Sequence, residues 1–459
     1  MPRRFPAFSR YILLVTAILV LAPAPPARAA YGDITLVSQT PLSGSTRICD
    51  VWGWMDWRTG KEYAVVGNWH TPRRVWIIDV TNPALPVEVG SIDGASGFDL
   101  KVWQNYIYTC DSNGSGNDSR IIDIANPSSP VLLEQSFRSA HNIAISQSGY
   151  LFQQVTGFSL WDLNADPTVP DSLWHSGLPN GHDATPKGDH LVWDFAGWDG
   201  FARLWDYSDP SNPTIVTTVS DPAIRYYHSG DATGDGNYVY VCDELAVHPD
   251  PDIWVFDVSN PASPSVVANI ADPGAIVHNL YIIDGLAFAS YYSAGFKTID
   301  VRNPANPVVA DSYDTHVSTG ENYDGAFGVY PFSPNGLVFV SDWDNGLFIF
   351  RVEGFNGTPT AVRSTPSPSA TLHQNYPNPF NPTTTIVYEI ATAGVVRLSI
   401  FDVRGRTVRR LVEGYETPGA RDVVWDGKDN AGVAVASGIY YYQLSVGPTT
   451  TTKRMVLLK

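Results

Sequence analysis

The sequence of 459 residues predicts an all-β protein in which a seven-bladed β-propeller precedes a small β-sandwich. The first observation is a repeat, because the segment VWIIDVTNPALPVEVGSI at residues 75–92 returns in variant form five more times. The second is the spacing of one Asp in each copy, which is 44, 39, 44, 51 and 43 residues and is typical of four-stranded propeller blades. The third is a composition with 12% aromatic residues, 38 Gly and 35 Pro, which suits a turn-rich β protein. The repeated residues are Asp79, Asp123, Asp162, Asp206, Asp257 and Asp300.

Each copy of the repeat predicts a strand, a turn and a second strand. A short β-branched or aromatic run ends at the Asp, and Asn-Pro or Asp-Pro follows with a second Pro. The Asn or Asp side chain can bond its own backbone, while Pro sets the turn dihedral and removes a ladder donor. The later copies start at Ser119, Leu160, Ala202, Ile253 and Phe296, and a degenerate one starts at Gly346.

The segments that cross from one repeat to the next align as the innermost strands of the blades. They start at Cys49, Phe98, His141, His182, His228, His278 and Gly325, which gives seven blades.

The two ends of the repeat region complement each other. ITLVSQ at residues 34–39 resembles the fourth strand of a blade whose first three strands are missing. GLFIFRV at residues 346–352 resembles the third strand of a blade whose fourth strand is missing. We therefore expect the N-terminal strand to complete the seventh blade and to close the ring, which removes an open sheet edge.

The chain divides into four segments. Residues 1–29 have two arginines, a short apolar run and Ala-Arg-Ala at the end, which together predict a secretory signal peptide. Residues 30–353 form the predicted propeller, and no stretch in the mature chain approaches the roughly 20 apolar residues of a transmembrane helix. Residues 354–371 are a linker rich in Pro, Ser and Thr. Residues 372–459 contain short alternating strands broken by Gly, Pro and Asp-Gly turns, which predict a β-sandwich.

The charge balance limits the classes of partner. With 29 basic and 46 acidic residues the net charge is -17. Binding to the phosphates of nucleic acid requires a basic face, so nucleic acid is excluded as a partner, and unaided binding to anionic lipid is disfavoured.

Three cysteines, Cys49, Cys110 and Cys242, cannot all pair, and their spacing matches neither a zinc site nor a disulfide scaffold. A bridge between Cys49 and Cys110 is one alternative. We favour buried free thiols that act as small apolar side chains.

The repeat resembles the bacterial LVIVD repeat, whose pattern is an apolar pair, Asp, Val, a small polar residue, Asn-Pro, a spacer and Pro-Val. The resemblance extends over residues 33–352. The stretches YYHSGDAT, VHNLYIID and YYSAGFKTIDV are also similar to the choice-of-anchor B family of extracellular proteins, which combine this propeller with different C-terminal anchors. These resemblances imply a propeller located outside the cell, and they imply no activity.

The C-terminal domain resembles the sorting domain of type IX secretion cargo, through YPNPFNP, the WDGKDNAG turn and the final KRMVLLK. That family has the Ig-like sandwich of the flagellar hook-capping domain. The resemblance implies that residues 372–459 interact with the secretion and sorting machinery, and that the protein is secreted or anchored at the outer cell surface.

Four histidines form the main candidate site. They occupy one aligned position in consecutive blades, and Asp99 and Asp50 follow that position by one residue in the two preceding blades. Innermost strands line the channel of a propeller, so we expect these side chains to form a ring about the axis. One interpretation is structural, with each imidazole bonding the backbone of the next blade. The other is a site for an anionic ligand or a divalent metal, zinc or manganese rather than calcium, with Asp243 and Glu244 as acidic helpers. The four histidines are His141, His182, His228 and His278.

Two segments have oxygen side chains at alternating positions, as calcium loops do. One contains Asp231 and Asp235, and the other contains Asp111 and Asn113. Neither has the acidic residue at position twelve of a calcium loop, and Asp, Asn and Gly favour turns without metal. We therefore favour tight turns over calcium binding in both segments.

Three hypotheses for the function follow. The first is a binding protein that presents a rigid propeller to a protein or glycan ligand, and we prefer it. The second is a secreted metal-dependent hydrolase that uses the axial histidines, although the sequence contains no common catalytic motif. The third is a structural protein of the cell surface. Fold alone does not decide among them.

Overall fold

The computed structural model describes residues 30–357 and 370–458, apart from short gaps at 46, 57, 112–118, 134–136, 138–139, 155–156, 178–180, 273, 319, 391–393, 403–405, 417–418, 431 and 447–448. The predicted signal peptide at 1–29 and residues 358–369 of the linker lie outside the described residues. The described chain is all-β, as predicted, and contains no helix that is long and apolar enough to cross a membrane.

Residues 34–352 form seven four-stranded antiparallel sheets within the described part of the chain. The first strand in sequence, β1 (Ile34–Thr40), belongs to the last sheet. Sheet 1 contains β2 (Ile48–Asp56), β3 (Lys61–Asn68), β4 (Arg74–Asp79) and β5 (Val87–Asp93), and sheet 2 contains β6 (Asp99–Trp103), β7 (Tyr106–Cys110), β8 (Arg120–Asp123) and β9 (Val131–Leu132). Sheet 3 contains β10 (Asn142–Ile145), β11 (Tyr150–Gln154), β12 (Phe158–Asp162) and β13 (Asp171–His175), and sheet 4 contains β14 (Asp183–Lys187), β15 (Leu191–Phe195), β16 (Ala202–Asp206) and β17 (Thr214–Val219).

The remaining three sheets repeat this order. Sheet 5 contains β18 (Tyr227–Ala232), β19 (Tyr238–Asp243), β20 (Ile253–Asp257) and β21 (Ser265–Ile270), and sheet 6 contains β22 (Leu280–Ile283), β23 (Leu286–Ser290), β24 (Phe296–Asp300) and β25 (Val308–Tyr313). Sheet 7 contains β26 (Ala326–Tyr330), β27 (Val338–Asp342) and β28 (Gly346–Val352), with β1 as its fourth strand.

The sheets are arranged as propeller-like blades around one axis. Each first strand contacts the first strand of the next sheet from β2 to β22, β26 contacts β23, and β2 contacts β26, so the ring is closed. Burial falls from the axis to the rim, since every residue of β6 is buried whereas β17 is mostly exposed. The inner strands are buried on both faces because each sheet packs between two neighbours, which explains the weak apolar alternation of their sequences.

The predicted closure by the N-terminal strand is confirmed. Strand β1 pairs antiparallel with β28, from Ile34 opposite Val352 to Thr40 opposite Leu347. The Ile34 N–H also donates to Asp311 in sheet 6 over 2.7 Å, so β1 joins two sheets.

The repeated Asp forms the turn that the sequence predicts. In all six complete copies one carboxylate oxygen accepts a hydrogen bond from the backbone N–H two residues later, which is an Asx turn. These bonds run to Asp79 from Thr81 (3.0 Å), to Asp123 from Ala125 (2.8 Å), to Asp162 from Asn164 (2.8 Å), to Asp206 from Ser208 (2.8 Å), to Asp257 from Ser259 (2.9 Å) and to Asp300 from Arg302 (3.1 Å).

The C-terminal residues form a separate β-sandwich, as predicted. Its core contains Trp425, Tyr388 and Tyr442 and draws side chains from both sheets. One sheet has the order β29 (Ala370–Leu372), β30 (Thr384–Ile390) and β33 (Gly419–Trp425), and the other has the order β32 (Thr407–Glu416), β31 (Gly394–Phe401), β34 (Gly438–Val446) and β35 (Thr449–Leu457).

Candidate functional site

The first strands of the seven sheets surround a cavity of about 320 Å³. Each sheet contributes at least one lining side chain from the start of its first strand, so the cavity lies on the axis of the ring. The contributions from sheets 1 to 7 are Asp50, Asp99, His141, His182, His228, His278 and Phe327.

The four aligned histidines stack around this cavity, as predicted. Phe98 occupies the same aligned position in sheet 2. In sheet 7 the corresponding place is taken by Phe327, two residues after the Gly325 that the sequence alignment placed there, because His278 Nδ1 approaches the Phe327 carbonyl as His182 Nδ1 approaches that of His228. Both phenylalanines complete the aromatic stack, and Cys49 packs against Phe327. The distances between successive ring centroids are 5.1 Å from Phe98 to His141, 4.7 Å to His182, 4.3 Å to His228, 4.7 Å to His278, 4.1 Å to Phe327 and 5.4 Å back to Phe98.

The backbone explains why the histidines point inward. The N–H groups of His141, His182 and His278 donate to the last carbonyl of the second strand of the same sheet, over 2.7 to 2.8 Å. Each histidine therefore stands where its sheet begins at the axis, and its side chain extends into the space enclosed by the ring.

In two of the histidines, one ring nitrogen bonds the backbone of the neighbouring sheet. His182 Nδ1 lies 2.9 Å from the carbonyl oxygen of His228, and His278 Nδ1 lies 2.7 Å from that of Phe327. A carbonyl oxygen only accepts hydrogen bonds, so each Nδ1 carries the proton and each Nε2 keeps a free lone pair. These two contacts are those that the structural interpretation expects, and they leave Nε2 of both residues for a ligand.

His182, His228 and His278 are uncharged at neutral pH. Burial and, to a smaller extent, the neighbouring histidines together lower the pKa of His228 to about 3 and that of His278 to about 4. Burial and the same neighbours hold the pKa of His182 well below its usual value. Neutral imidazole is the form that coordinates metals.

Glu244 adds a carboxylate to two of these histidines. It directly follows β19, and its Oε2 lies 3.5 Å from His228 Nε2. The Tyr292 hydroxyl donates to Glu244 Oε1 over 2.5 Å, and the Tyr292 backbone has a φ of +34°, an unusual value for an aromatic residue. Burial raises the pKa of Glu244, and the nearby His278 opposes this rise.

Among the described residues, His228, Glu244 and His278 have the geometry to hold a metal ion. One ligand atom from each lies within 4.8 Å of the other two. Zinc bonds of about 2.0–2.1 Å at tetrahedral angles would bring these atoms to about 3.3 Å, which needs only small side-chain rotations. His228 is 3% exposed, so its ring is held in the wall of the cavity.

A buried ion-pair cluster forms another part of the wall. Lys101 Nζ lies 2.9 Å from Asp50 and also bonds Asp99. Asp50 accepts the N–H of Leu100 over 3.2 Å, and Asp99 accepts that of Ile143 over 2.6 Å, so each carboxylate also joins its own sheet to the next. Burial raises the pKa of Asp50 to about 7, against the lowering effect of Lys101.

The alignment of the innermost strands contains one more acidic residue of the cavity wall. Asp183 occupies the aligned position of Asp50 and Asp99 in sheet 4 and lines the cavity. Burial raises its pKa to about 7, while Lys101 opposes the rise. The remaining lining residues, including Lys101, Trp198, Tyr226 and Tyr292, are not repeated, so the alignment could not identify them.

The other predicted site residues lie elsewhere. Asp243 accepts the backbone N–H groups of Arg225 and Tyr226 at 2.7 and 3.0 Å and does not line the cavity. Cys49, Cys110 and Cys242 are buried free thiols, as favoured.

The two calcium segments use their oxygens internally. Asp231 lies in β18, where it pairs with Lys187 over 2.7 Å, and Asp235 accepts the Asn237 N–H over 3.1 Å in a tight turn. Asp111 pairs with Arg73 over 2.8 Å, and Asn113 lies outside the described residues. The preference for turns over calcium binding in these segments stays a prediction.

Comparisons with known proteins support both domain types. Residues 62–94, 96–136, 231–272 and 279–315 match the LVIVD repeat family, and residues 381–450 match the FlgD Ig-like domain family. The predicted repeat is thus confirmed at four copies, and the predicted Ig-like domain is also confirmed. The copies in sheets 3 and 4 lie outside these matches, although their sheets have the same strand order.

No curated protein matches the sequence. Among solved structures, the chain is similar to PorZ, described as an essential bacterial surface component of the type-IX secretion system of Porphyromonas gingivalis. The TM-score is 0.43 and the sequence identity is 13%, with coverage of 95% of this chain and 61% of the PorZ chain. This chain therefore spans less than two thirds of PorZ, and so distant a likeness supports no statement about function.

Proposed function

We propose that this protein is an exported binding protein that holds a divalent transition metal in its axial cavity. The observation that carries the proposal is the convergence of two neutral imidazoles and one carboxylate, from His228, His278 and Glu244, with ligand atoms within 4.8 Å. The proton on His278 Nδ1 is fixed by a backbone carbonyl, which is the usual outer-shell arrangement for a histidine that coordinates through Nε2.

The donor set favours zinc. Imidazole nitrogens suit zinc, copper, iron and nickel, whereas calcium requires oxygen ligands alone. Manganese is the second choice, because it prefers more oxygen ligands than these three residues offer. Three protein ligands leave a fourth position of a tetrahedral zinc ion open for an exogenous ligand.

Export and surface location are part of the proposal. The pattern of residues 1–29 supports a signal peptide, with the mature chain starting near Ala30. The resemblance of residues 372–459 to sorting domains supports passage through a type IX apparatus, and that of the repeats to the choice-of-anchor B family supports display at the cell surface. The propeller would then present its axial cavity outside the cell.

Metal titration of the purified propeller tests the metal site. We expect one zinc ion per chain, and replacing the ligand in Glu244→Gln should lower zinc affinity at least about 100-fold. The matched control is Glu321→Gln, because Glu321 also approaches a histidine, with 3.8 Å to His248, but lies outside the cavity. Equal zinc binding by both variants, or none by the wild type, would make the axial ring purely structural.

Removal of the Tyr292 hydroxyl, which hydrogen-bonds Glu244, should give an intermediate loss of zinc affinity. Tyr292→Phe removes the hydrogen bond to Glu244 Oε1 and keeps the ring that packs against His278 at 4.8 Å. Loss of an outer-shell partner should weaken zinc binding about 10- to 100-fold without abolishing it. An unchanged affinity would show that the Tyr292 hydroxyl does not orient Glu244 as a ligand.

The second candidate function is metal-dependent hydrolysis. It is favoured by the same three ligands, since two histidines and one glutamate with an open position also form the metal sites of some zinc hydrolases. Asp183, which lines the same cavity and has a pKa of about 7, has the protonation behaviour of a general base. Hydrolysis of ester, phosphoester or peptide substrates that is lost in Glu244→Gln would favour this candidate over simple binding.

A further inference from the structure

The rim of the axial cavity carries an exposed tryptophan. Trp198 lines the cavity and is 70% exposed. Its ring meets Tyr226 edge to face at 5.0 Å, and Tyr226 meets His182 in the same way at 5.1 Å. The indole is therefore attached to the wall while much of its surface faces solvent. An aromatic side chain beside a few polar groups is a common lining of ligand pockets.

The turn that carries Trp198 is well anchored. Gly197 and Tyr227 exchange two backbone hydrogen bonds of 3.0 and 3.2 Å, which tie this turn of sheet 4 to the first strand of sheet 5. Gly197 and Gly200 have φ values of +55° and +78°, which glycine adopts without strain. The indole is thus held in a fixed position before any ligand arrives, which lowers the entropic cost of binding.

The charges of the cavity wall are largely compensated. Asp50 and Asp99 are paired with Lys101, and Glu244 is engaged by Tyr292 and by its histidine neighbours. With zinc bound to His228, Glu244 and His278, a further cation would find few unpaired carboxylates here. A free anion would find no unpaired lysine or arginine among the lining residues that the structure describes. The wall favours a neutral ligand.

Polar groups that can hydrogen-bond a neutral ligand remain available in the wall. Asn142 and Asn279 line the cavity, and Asn279 Oδ1 is buried without a hydrogen-bond partner in the described chain. The Asp183 carboxylate accepts the N–H of Ala184 over 2.7 Å, and its other oxygen has no partner among the hydrogen bonds described. These groups can donate to and accept from hydroxyls, as a polar pocket does when it fixes the orientation of a ligand.

We propose that the cavity binds a neutral sugar unit of a glycan, which stacks the C–H face of its ring on Trp198 and directs hydroxyls toward Asn279 and Asp183. A sugar combines an apolar face with a hydroxyl-bearing edge, which matches one aromatic side chain beside several hydrogen-bonding groups. The inference rests on the proposed function, because it places this ligand in the same cavity as the metal, where a sugar hydroxyl can occupy the open position.

A glycan array followed by calorimetric titration of the full-length protein tests the inference. We expect binding of glycans with neutral terminal sugars, and an affinity at least about 5-fold lower for Trp198→Ala because an aromatic contact is lost. Trp198→Phe should restore most of the affinity. The matched control is Leu85→Ala, since Leu85 is 71% exposed and lies outside the cavity.

Metal content separates this inference from the proposed function. Trp198→Ala should keep its zinc, because Trp198 supplies no ligand atom. Zinc binding without any neutral glycan bound would overturn the sugar inference alone, whereas sugar binding without zinc would overturn the metal proposal alone. Binding only of charged glycans, or binding that Trp198→Ala leaves unchanged, would also overturn the sugar inference.

Discussion

Removing the buried ammonium group of Lys101 should destabilise the propeller strongly. Lys101 is 6% exposed, bonds Asp50 and Asp99, and lies 4.7 Å from the ring centre of Trp52. Burial opposes its charge, yet the two carboxylates hold the pKa of Lys101 well above its usual value. In Lys101→Met these carboxylates lose their only described cation inside the ring, and both also join sheets through backbone hydrogen bonds.

The size of this effect can be worked out. Breaking a buried ion pair by removing one partner costs about 3–5 kcal/mol of unfolding free energy. With an unfolding entropy of about 2.1 cal/mol/K per residue, a propeller of this length changes its unfolding free energy by about 0.7 kcal/mol per degree near Tm. Lys101→Met should therefore lower Tm by about 4–7 °C at pH 7.

Scanning calorimetry of the purified propeller measures this shift. The matched control is Lys61→Met, because Lys61 pairs with Asp79 at 2.8 Å but is 51% exposed, and its Tm should not change measurably. Adding Asp50→Asn and Asp99→Asn to Lys101→Met should recover most of the loss, since replacing a whole buried ion cluster is often nearly neutral. An unchanged Tm in Lys101→Met, or no recovery in the triple variant, would refute the reasoning.

Three further predictions concern pH, closure and export. Burial raises the pKa of Asp183 from its usual 3.8 to about 7, so the protonated carboxyl stabilises the fold fully below pH 3.8 and this contribution is lost as pH rises through 7. Asp183→Asn should therefore reduce the fall in unfolding free energy between pH 4 and 7 by up to about 4 kcal/mol, less where water in the cavity solvates the carboxyl. Urea titrations in which wild type and variant lose the same free energy over this pH range would contradict this. Deleting residues 30–42 removes β1 and exposes an edge of sheet 7, so the protein should lose several kcal/mol of stability and aggregate, and a monomer with the wild-type Tm would disprove it. Deleting residues 372–459 should trap the protein in the periplasm, and cell fractionation that finds normal amounts at the surface or in the medium would show that this domain is passive.

The repeat explains why so much of the ring could be predicted from the sequence. A position that recurs once per blade returns to the same radius and height about the axis, so one alignment column becomes one ring of side chains. This is why His141, His182, His228 and His278 stack as predicted. The same column contains Phe98 and the next contains Asp183, so the alignment already held both of these lining residues. Phe327 lies two residues beyond the Gly325 of this column, so the alignment of the seventh blade was wrong by two residues.

Features that break the repeat could not be predicted. Glu244 reaches the cavity from the end of a second strand in sheet 5, and Tyr292 reaches Glu244 from the turn after β23 in sheet 6, so their contact depends on how two sheets pack. Lys101 is the only lysine or arginine that lines the cavity within the described chain. Sequence reasoning named Asp243 beside Glu244 because it could not determine which of two adjacent side chains faces the axis.

The two segments with calcium-loop spacing show a second feature that the sequence alone does not determine. Spacing of oxygen side chains is visible in a sequence, but whether a residue lies in a turn or in a strand depends on the sheet. Asp231 lies in β18, where its carboxylate accepts the Ile282 N–H of the next sheet over 2.8 Å. Its carboxylate therefore joins two sheets, as the carboxylates of Asp50 and Asp99 do.

An anomalous diffraction map of crystals soaked in zinc, recorded at the zinc edge, tests the metal site most directly. We predict one strong peak in the axial cavity, bonded to a ring nitrogen of His228, to Nε2 of His278 and to a carboxylate oxygen of Glu244, at about 2.0–2.2 Å. The same map from Glu244→Gln crystals should lose this peak. A wild-type map with no axial peak, or with zinc only at the surface pair of His316 and Asp344, would contradict the proposal.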